Sequence, residues 1–179
     1  MGADRCGYAR ETLPHVVNHC RYHSDAWQRR HNAVLQRLVN SVRPRTGVVV
    51  SVNRAVAGVR DNLRPDLVIR NEAEKRISIV DVTIPFEGAA GALEAARQQK
   101  LDKYGPLAAE LQAQGYEVYL EAFVVDSLEA WLSTNDAVIR QLRVAQRYGA
   151  VMARLMVSDV IRWTRDIYIE HLSGIRQYQ

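Results

Sequence analysis

Apolar residues recur along this chain in two rhythms, one suited to helices and one to strands. Trp27, His31, Val34, Leu35, Leu38, Val39 and Val42 return at helical spacing, which predicts a helix with one buried face. Ser24 is its N-cap, and Arg43-Pro44-Arg45 ends it because proline disfavours helical geometry in the preceding residue. His31 belongs to that apolar stripe, and Arg30 lies beside it. The β-branched run 48–52 reads as a first strand. Residues 67–69 and 77–84 follow as a hairpin around the polar loop 71–75, closed by Pro85-Phe86-Glu87-Gly88. Residues 89–114 form the clearest helix, with Gly115 as its stop. Residues 116–125 alternate and then run apolar, which predicts another strand. Asp126 is expected to cap a short helix containing Trp131, and 138–148 and 151–172 read as two helices separated near Gly149. The connection 54–62 is assigned no element. This order predicts one α/β domain with a mixed sheet flanked by helices.

Bulk properties narrow the function classes. No apolar run approaches the roughly 18–20 residues that cross a bilayer, and no signal peptide opens the chain. An intracellular soluble protein without a membrane partner is the expectation. The net charge is +4, and arginine far outnumbers lysine. Arginines crowd the first 45 residues and the last 40. Guanidinium groups bind phosphate bidentately, which fits a nucleic-acid partner, but a solvated basic surface has the same composition. There is no glycine-rich phosphate loop, nucleophile elbow or internal repeat.

The chemistry concentrates between residues 64 and 104. Asp66 stands at the entrance of the first hairpin strand and Asp81 inside the second. A carboxylate in an apolar run is costly to bury unless it has a partner, and a cation is a common one. On the following helix Leu93, Arg97, Lys100, Tyr104, Leu107, Ala108 and Leu111 share a face, so Lys100 points with the core leucines. Two carboxylates and a lysine are the minimum for metal-dependent phosphodiester cleavage. Lys103 lies further round the axis and reads as a phosphate contact or a surface charge. Taken singly, Asp66 also fits a turn-initiating aspartate after proline, and Asp81 an edge-strand carboxylate paired with an arginine.

Cys6, His15 and Cys20 are spaced C-x8-H-x4-C, with His19 and His23 close by. The spacing matches the rear of a zinc knuckle, and two ordinary thiols with surface histidines would look the same. A tetrahedral zinc site needs four nitrogen or sulfur ligands. Ala3 stands where the first cysteine is expected, leaving His19 or His23 to complete the set.

Pro65-Asp66 followed by Asp81 in an Ile-Val-Asp-Val-Thr strand resembles the core of the PD-(D/E)XK nuclease superfamily, a restriction-endonuclease-like α/β fold. More narrowly, Arg30-His31-Asn32, the run from Asp81 to Glu87, and Lys100-x-x-Lys103-Tyr104 resemble the restriction-like endonuclease domain of early-branching non-LTR retrotransposons. The likeness covers roughly residues 6–125. Residues 1–23 correspond to a partial zinc-knuckle segment. Residues 24–179 correspond to the nuclease domain, with its core at 24–125 and C-terminal helices at 126–179. Thr83 stands where the broad superfamily has its lysine, whereas the narrower family carries that lysine on the following helix, as Lys100.

The resemblance implies a DNA endonuclease that nicks target DNA, leaving a 3′-hydroxyl for target-primed reverse transcription. Its partners would be the target DNA and the reverse transcriptase and other domains of the same polyprotein, which are absent from this chain. A nuclear location follows from the family. Asp66, Asp81 and the backbone carbonyl of Val82 would hold Mg²⁺ or Mn²⁺, with Lys100 completing the catalytic set. Glu87 would be an outer or second-metal ligand, or a plain exposed carboxylate. Arg30 and His31 would contact phosphate or position the acids, while Lys103 and Tyr104 would anchor DNA or seat the helix. Cys6, His15 and Cys20 would bind Zn²⁺. Two other readings stay open: a non-catalytic DNA- or RNA-binding module on the same fold, and a structure-specific nuclease resembling junction resolvases.

Overall fold

A computed structural model describes Gly7 and residues 11–178. A π-helical turn, His15–His19, and a 3₁₀ turn, Arg21–His23, lead into α1 (Ser24–Ser41). Strands β1 (Val48–Val52), β2 (Leu67–Asn71) and β3 (Arg76–Thr83) follow, then α2 (Ala92–Ala113), β4 (Glu117–Val124), α3 (Thr134–Gln141) and α4 (Gln146–Ser173). The fold is mixed α/β, a four-stranded sheet in the order β1-β2-β3-β4 with helices on both faces. The first two pairings are antiparallel, and β3 runs parallel to β4 through the crossover helix α2. No helix among the described residues is long and apolar enough to cross a membrane.

The alternation of side chains along β3 explains how the sheet divides its contacts. Ile77 and Ile79 pack with Tyr104, Leu107 and Leu111 of α2, while Val80 and Val82 face Leu35 and Leu38 of α1 and Met152, Met156 and Val160 of α4. Asp81 shares the parity of Ile77 and Ile79 and therefore turns towards α2. At the open edge of β4, Asn135 accepts the Val124 N–H at 2.8 Å and donates to the Val124 carbonyl at 2.6 Å. A side-chain amide thus stands in for a fifth strand and blunts the edge.

Four sequence expectations need correction. Ser24 is already helical, and α1 continues from the preceding 3₁₀ turn without a side-chain cap. Arg30 is buried on α1, whereas His31 is half-buried, because α4 covers the Arg30 side. No helix follows Asp126; its carboxylate accepts the N–H groups of Leu128 and Glu129 in a tight turn, and Trp131 bridges back to Val125. Gly149 is not a helix boundary. The break falls at residues 142–145, where Arg143 has φ 57°, and Gly149 lies inside α4, packed on α3.

The reason for glycine at 149 is space. A Cβ there would sit 2.9 Å from Ile139 Cγ2, a methyl on a branched carbon that cannot swing away. Alanine ordinarily stabilises a helix interior over glycine by about 1 kcal/mol. Gly149→Ala should reverse it, since overpacking costs about 1–3 kcal/mol. Chemical denaturation should show a lower midpoint for Gly149→Ala than for the parent.

Candidate active site

The first β2–β3 pair is Leu67 with Val80, so Asp66 and residues 81–83 lie just past the end of that ladder. Their polar groups are left to one another. Asp66 Oδ2 accepts the Val82 N–H at 2.7 Å, and the Asp66 N–H reaches Asp81 Oδ1 at 3.3 Å. The N–H and C=O of one strand residue point the same way, so the Val82 carbonyl also turns towards Asp66. Lys100 of α2 donates to Asp81 Oδ2 at 2.6 Å. Asp81 is almost fully buried while the Lys100 side chain is 24% exposed, so the pair bridges core and solvent.

These groups line an open cleft of about 550 Å³, together with His31, Lys103, Tyr104, Thr83 and Arg64. His31 Nε2 lies 3.0 Å from Asp66 Oδ2. Burial opposes the imidazolium, but the hydrogen bond and charge of Asp66, helped by Asn32 and Asp81, outweigh it and raise the His31 pKa above the ordinary 6.5. Burial and the nearby Asp81 carboxylate hold the Tyr104 phenol well above its usual range. The Tyr104 hydroxyl donates to the Arg64 carbonyl at 3.3 Å and accepts from Lys103 Nζ at 3.0 Å. Lys103 also lies 4.6 Å from the ring centroid, which fixes an otherwise floppy cation at the cleft rim.

The single-residue alternatives for the two acids do not describe what is seen. Asp81 sits on an interior strand, and its partner is a lysine rather than an arginine on an edge. Asp66 accepts hydrogen bonds from outside its own turn. Glu87, in contrast, is exposed beyond β3 and is not among the residues lining the cleft; its N–H is held by Asp126 at 2.7 Å.

Arg30 reaches the cleft wall, but its guanidinium is committed elsewhere. It donates to Thr164 Oγ1 at 2.7 Å, the Val17 carbonyl at 3.0 Å and Asn18 Oδ1 at 2.9 Å. Burial lowers its pKa to about 10, against the opposing charge of Asp126. Asn18 in turn donates to the Ile84 carbonyl at 2.8 Å, and Thr164 to the Ser127 carbonyl at 2.7 Å. Arg30 therefore ties the leading segment, α1, α4 and the loop after β3 into one buried network. That fixes the wall from which His31 projects.

Cys6 lies outside the described residues. His15 is half-buried and His19 exposed, and neither converges with Cys20 in a metal-capable group among the described residues. Cys20 instead meets His23 and His171, all three buried. His171 carries no sequence signal, because it lies on the last helix, far from the cysteine. Arg64, Asn53 and Asn18 of the cleft were also missed. Asn53 and Arg64 come from connections without periodicity, and Asn18 from a π-helical turn too short to show one.

No family model and no curated protein matches this sequence. Among solved structures the chain is similar to one described as "Structure and function of phenuiviridae cap snatching endonucleases". The TM-score is 0.46 and the identity 17%, covering 83% of this chain and 66% of that one. The likeness is one of fold alone.

The Asp66–His31 contact makes stability depend on pH. A histidine with a raised folded pKa contributes fully below its unfolded value of about 6.5, and the contribution fades as pH rises through the folded value. His23, whose pKa burial lowers, acts in the opposite sense as pH falls. Comparing the parent with His31→Gln isolates the first effect. The parent's advantage should be largest near pH 6 and shrink towards pH 8.5 in denaturation curves recorded in EDTA.

Proposed function

We propose that the chain is a divalent-metal-dependent DNA endonuclease. It nicks target DNA and leaves a 3′-hydroxyl for reverse transcription by a neighbouring domain of a non-LTR retrotransposon polyprotein. The observation that carries the nuclease reading is the convergence of Asp66, Asp81 and Lys100 at the strand ends of one open cleft. The retrotransposon assignment, and with it the nuclear location, rests on the ordered motifs Arg30-His31-Asn32, the run 81–87, and Lys100-x-x-Lys103-Tyr104.

The donor set suits Mg²⁺ or Mn²⁺, which take hard oxygen ligands and keep several waters. The described hydrogen bonds to Asp66 both end on Oδ2, which leaves the lone pairs of Oδ1 for a cation. Asp66, Asp81 and the Val82 carbonyl would hold it. Bound there, the ion would supply Lewis-acid polarisation of a phosphate and activation of a water.

The remaining roles belong to the chain itself. Lys100, anchored by Asp81 yet open to the cleft, orients the attacking water and neutralises charge as it builds on the phosphate. His31 holds Asp66 in place from α1. Lys103, pinned by Tyr104, and Arg64 at the rim meet backbone phosphates, a sequence-independent contact that weakens with salt.

Nicking of supercoiled plasmid tests this reading. The parent should nick with Mg²⁺ or Mn²⁺ and stop with EDTA. Asp66→Asn and Asp81→Asn, which keep the side-chain volume, should fall to the EDTA background while retaining the parent's circular dichroism. Lys100→Met should cost about 10²–10³-fold in rate, the usual loss for one stabilising donor. Nicking that survives in both folded aspartate variants would remove the assignment. Salt-sensitive DNA binding with no cleavage by any sample would instead indicate a binding module.

A further inference from the structure

We propose that Cys20, His23 and His171 form a buried zinc site that staples the leading segment of the chain to the end of α4. The site is independent of the nuclease reading. It overlaps the sequence-derived set of Cys6, His15 and Cys20, completed by His19 or His23, at Cys20 and His23, and replaces Cys6 and His15 with His171.

Geometry is the first argument. His23 Nε2 and His171 Nδ1 lie 3.3 Å apart. Two nitrogens at roughly 2.0–2.1 Å from a tetrahedral ion are separated by about 3.3–3.4 Å, so this edge of the tetrahedron already has its length. The three ligand atoms lie within 4.8 Å of one another. A sulfur–nitrogen edge around zinc is about 3.5–3.6 Å, so closing on an ion takes a contraction of little more than about an ångström at most.

The second argument lies behind the ligands. His171 Nε2, the nitrogen facing away from the cluster, is 3.1 Å from Glu11 Oε2, and both side chains are largely buried. A metal-bound histidine ordinarily gives its other N–H to a carboxylate, which fixes the tautomer and raises ligand basicity. Glu11 is placed to take that N–H when Nδ1 faces an ion, but the 3.1 Å contact lacks hydrogen-bond alignment in this structure. His23 is buried too. The T-shaped contact of Tyr22 on His23, with ring centroids 5.0 Å apart, closes one side.

Chemistry chooses the metal. A thiolate with two imidazoles favours zinc over the hard cations that suit Asp66 and Asp81. Binding displaces the Cys20 thiol proton to solvent, so affinity should fall with acidification. Three protein donors leave one tetrahedral position for a water or a further thiolate. The site would link positions 148 residues apart, which fits a structural role when a fourth protein donor closes it.

The full chain, purified without chelator, should retain about one zinc per molecule by inductively coupled plasma mass spectrometry. Cobalt-substituted protein should show the intense visible bands of a tetrahedral thiolate site. His171→Asn should lose the metal, whereas His15→Ala should keep it. Absence of both retained zinc and a tetrahedral cobalt spectrum in the parent would overturn the proposal and leave a histidine–histidine hydrogen bond only. Loss in His15→Ala with retention in His171→Asn would overturn it in favour of the sequence-derived set. Should His171→Asn fail to fold, Glu11→Gln carries the test. Affinity weakened by about 10–100-fold fits the assignment, and unchanged affinity overturns it.

Discussion

A carboxylate held within a sheet must be compensated, and the pairing of Asp81 with Lys100 meets that requirement. The two partners are not equivalent: losing Lys100 strands a buried carboxylate, whereas losing Asp81 leaves a lysine that reaches solvent. The constraint reaches outward. Asp81 must share the parity of Ile77 and Ile79 to face α2, and Lys100 must share the helix face of Tyr104 and Leu107 to face the sheet. The parallel β3–α2–β4 crossover sets the height at which the two meet. A one-residue slip of β3 would turn Asp81 towards α1 and α4 and place valines against the lysine.

The acids were legible in the sequence because both kinds of periodicity are strong here. The alternation in β3 and the helical stripe of α2 fix directions without any tertiary information. The same stripe separated Lys100, on the core side, from Lys103, which the structure leaves at the rim. Strand positions were read almost to the residue, since β-branched runs bounded by polar turns leave little freedom.

What sequence could not give was anything set by contact between distant segments. Arg30 and His31 are neighbours in sequence, and only α4 decides which one is covered. Gly149 reads as a breaker until the approach of Ile139 supplies a different reason for its missing side chain. The cysteine was read only with partners nearby in sequence, and its buried neighbour His171 comes from the last helix. Asp126 was given a helix to cap, and its oxygens instead close a turn. In each case local spacing was compatible with two answers, and packing chose between them.

The packing of α1 on α4 also imposes an order on assembly. More than a hundred residues separate the two helices, and at roughly 5–20 residues per second of synthesis α1 waits on the order of ten seconds for its main partner. The hairpin, α2 and β4 can pair in that interval and α1 can already rest on Val80 and Val82, but the Arg30 side of α1 stays uncovered until α4 is made. An emerging chain therefore holds its acids before the wall that bears His31 is clamped from behind by Thr164. Completion of the last helix works as a timer on the whole groove.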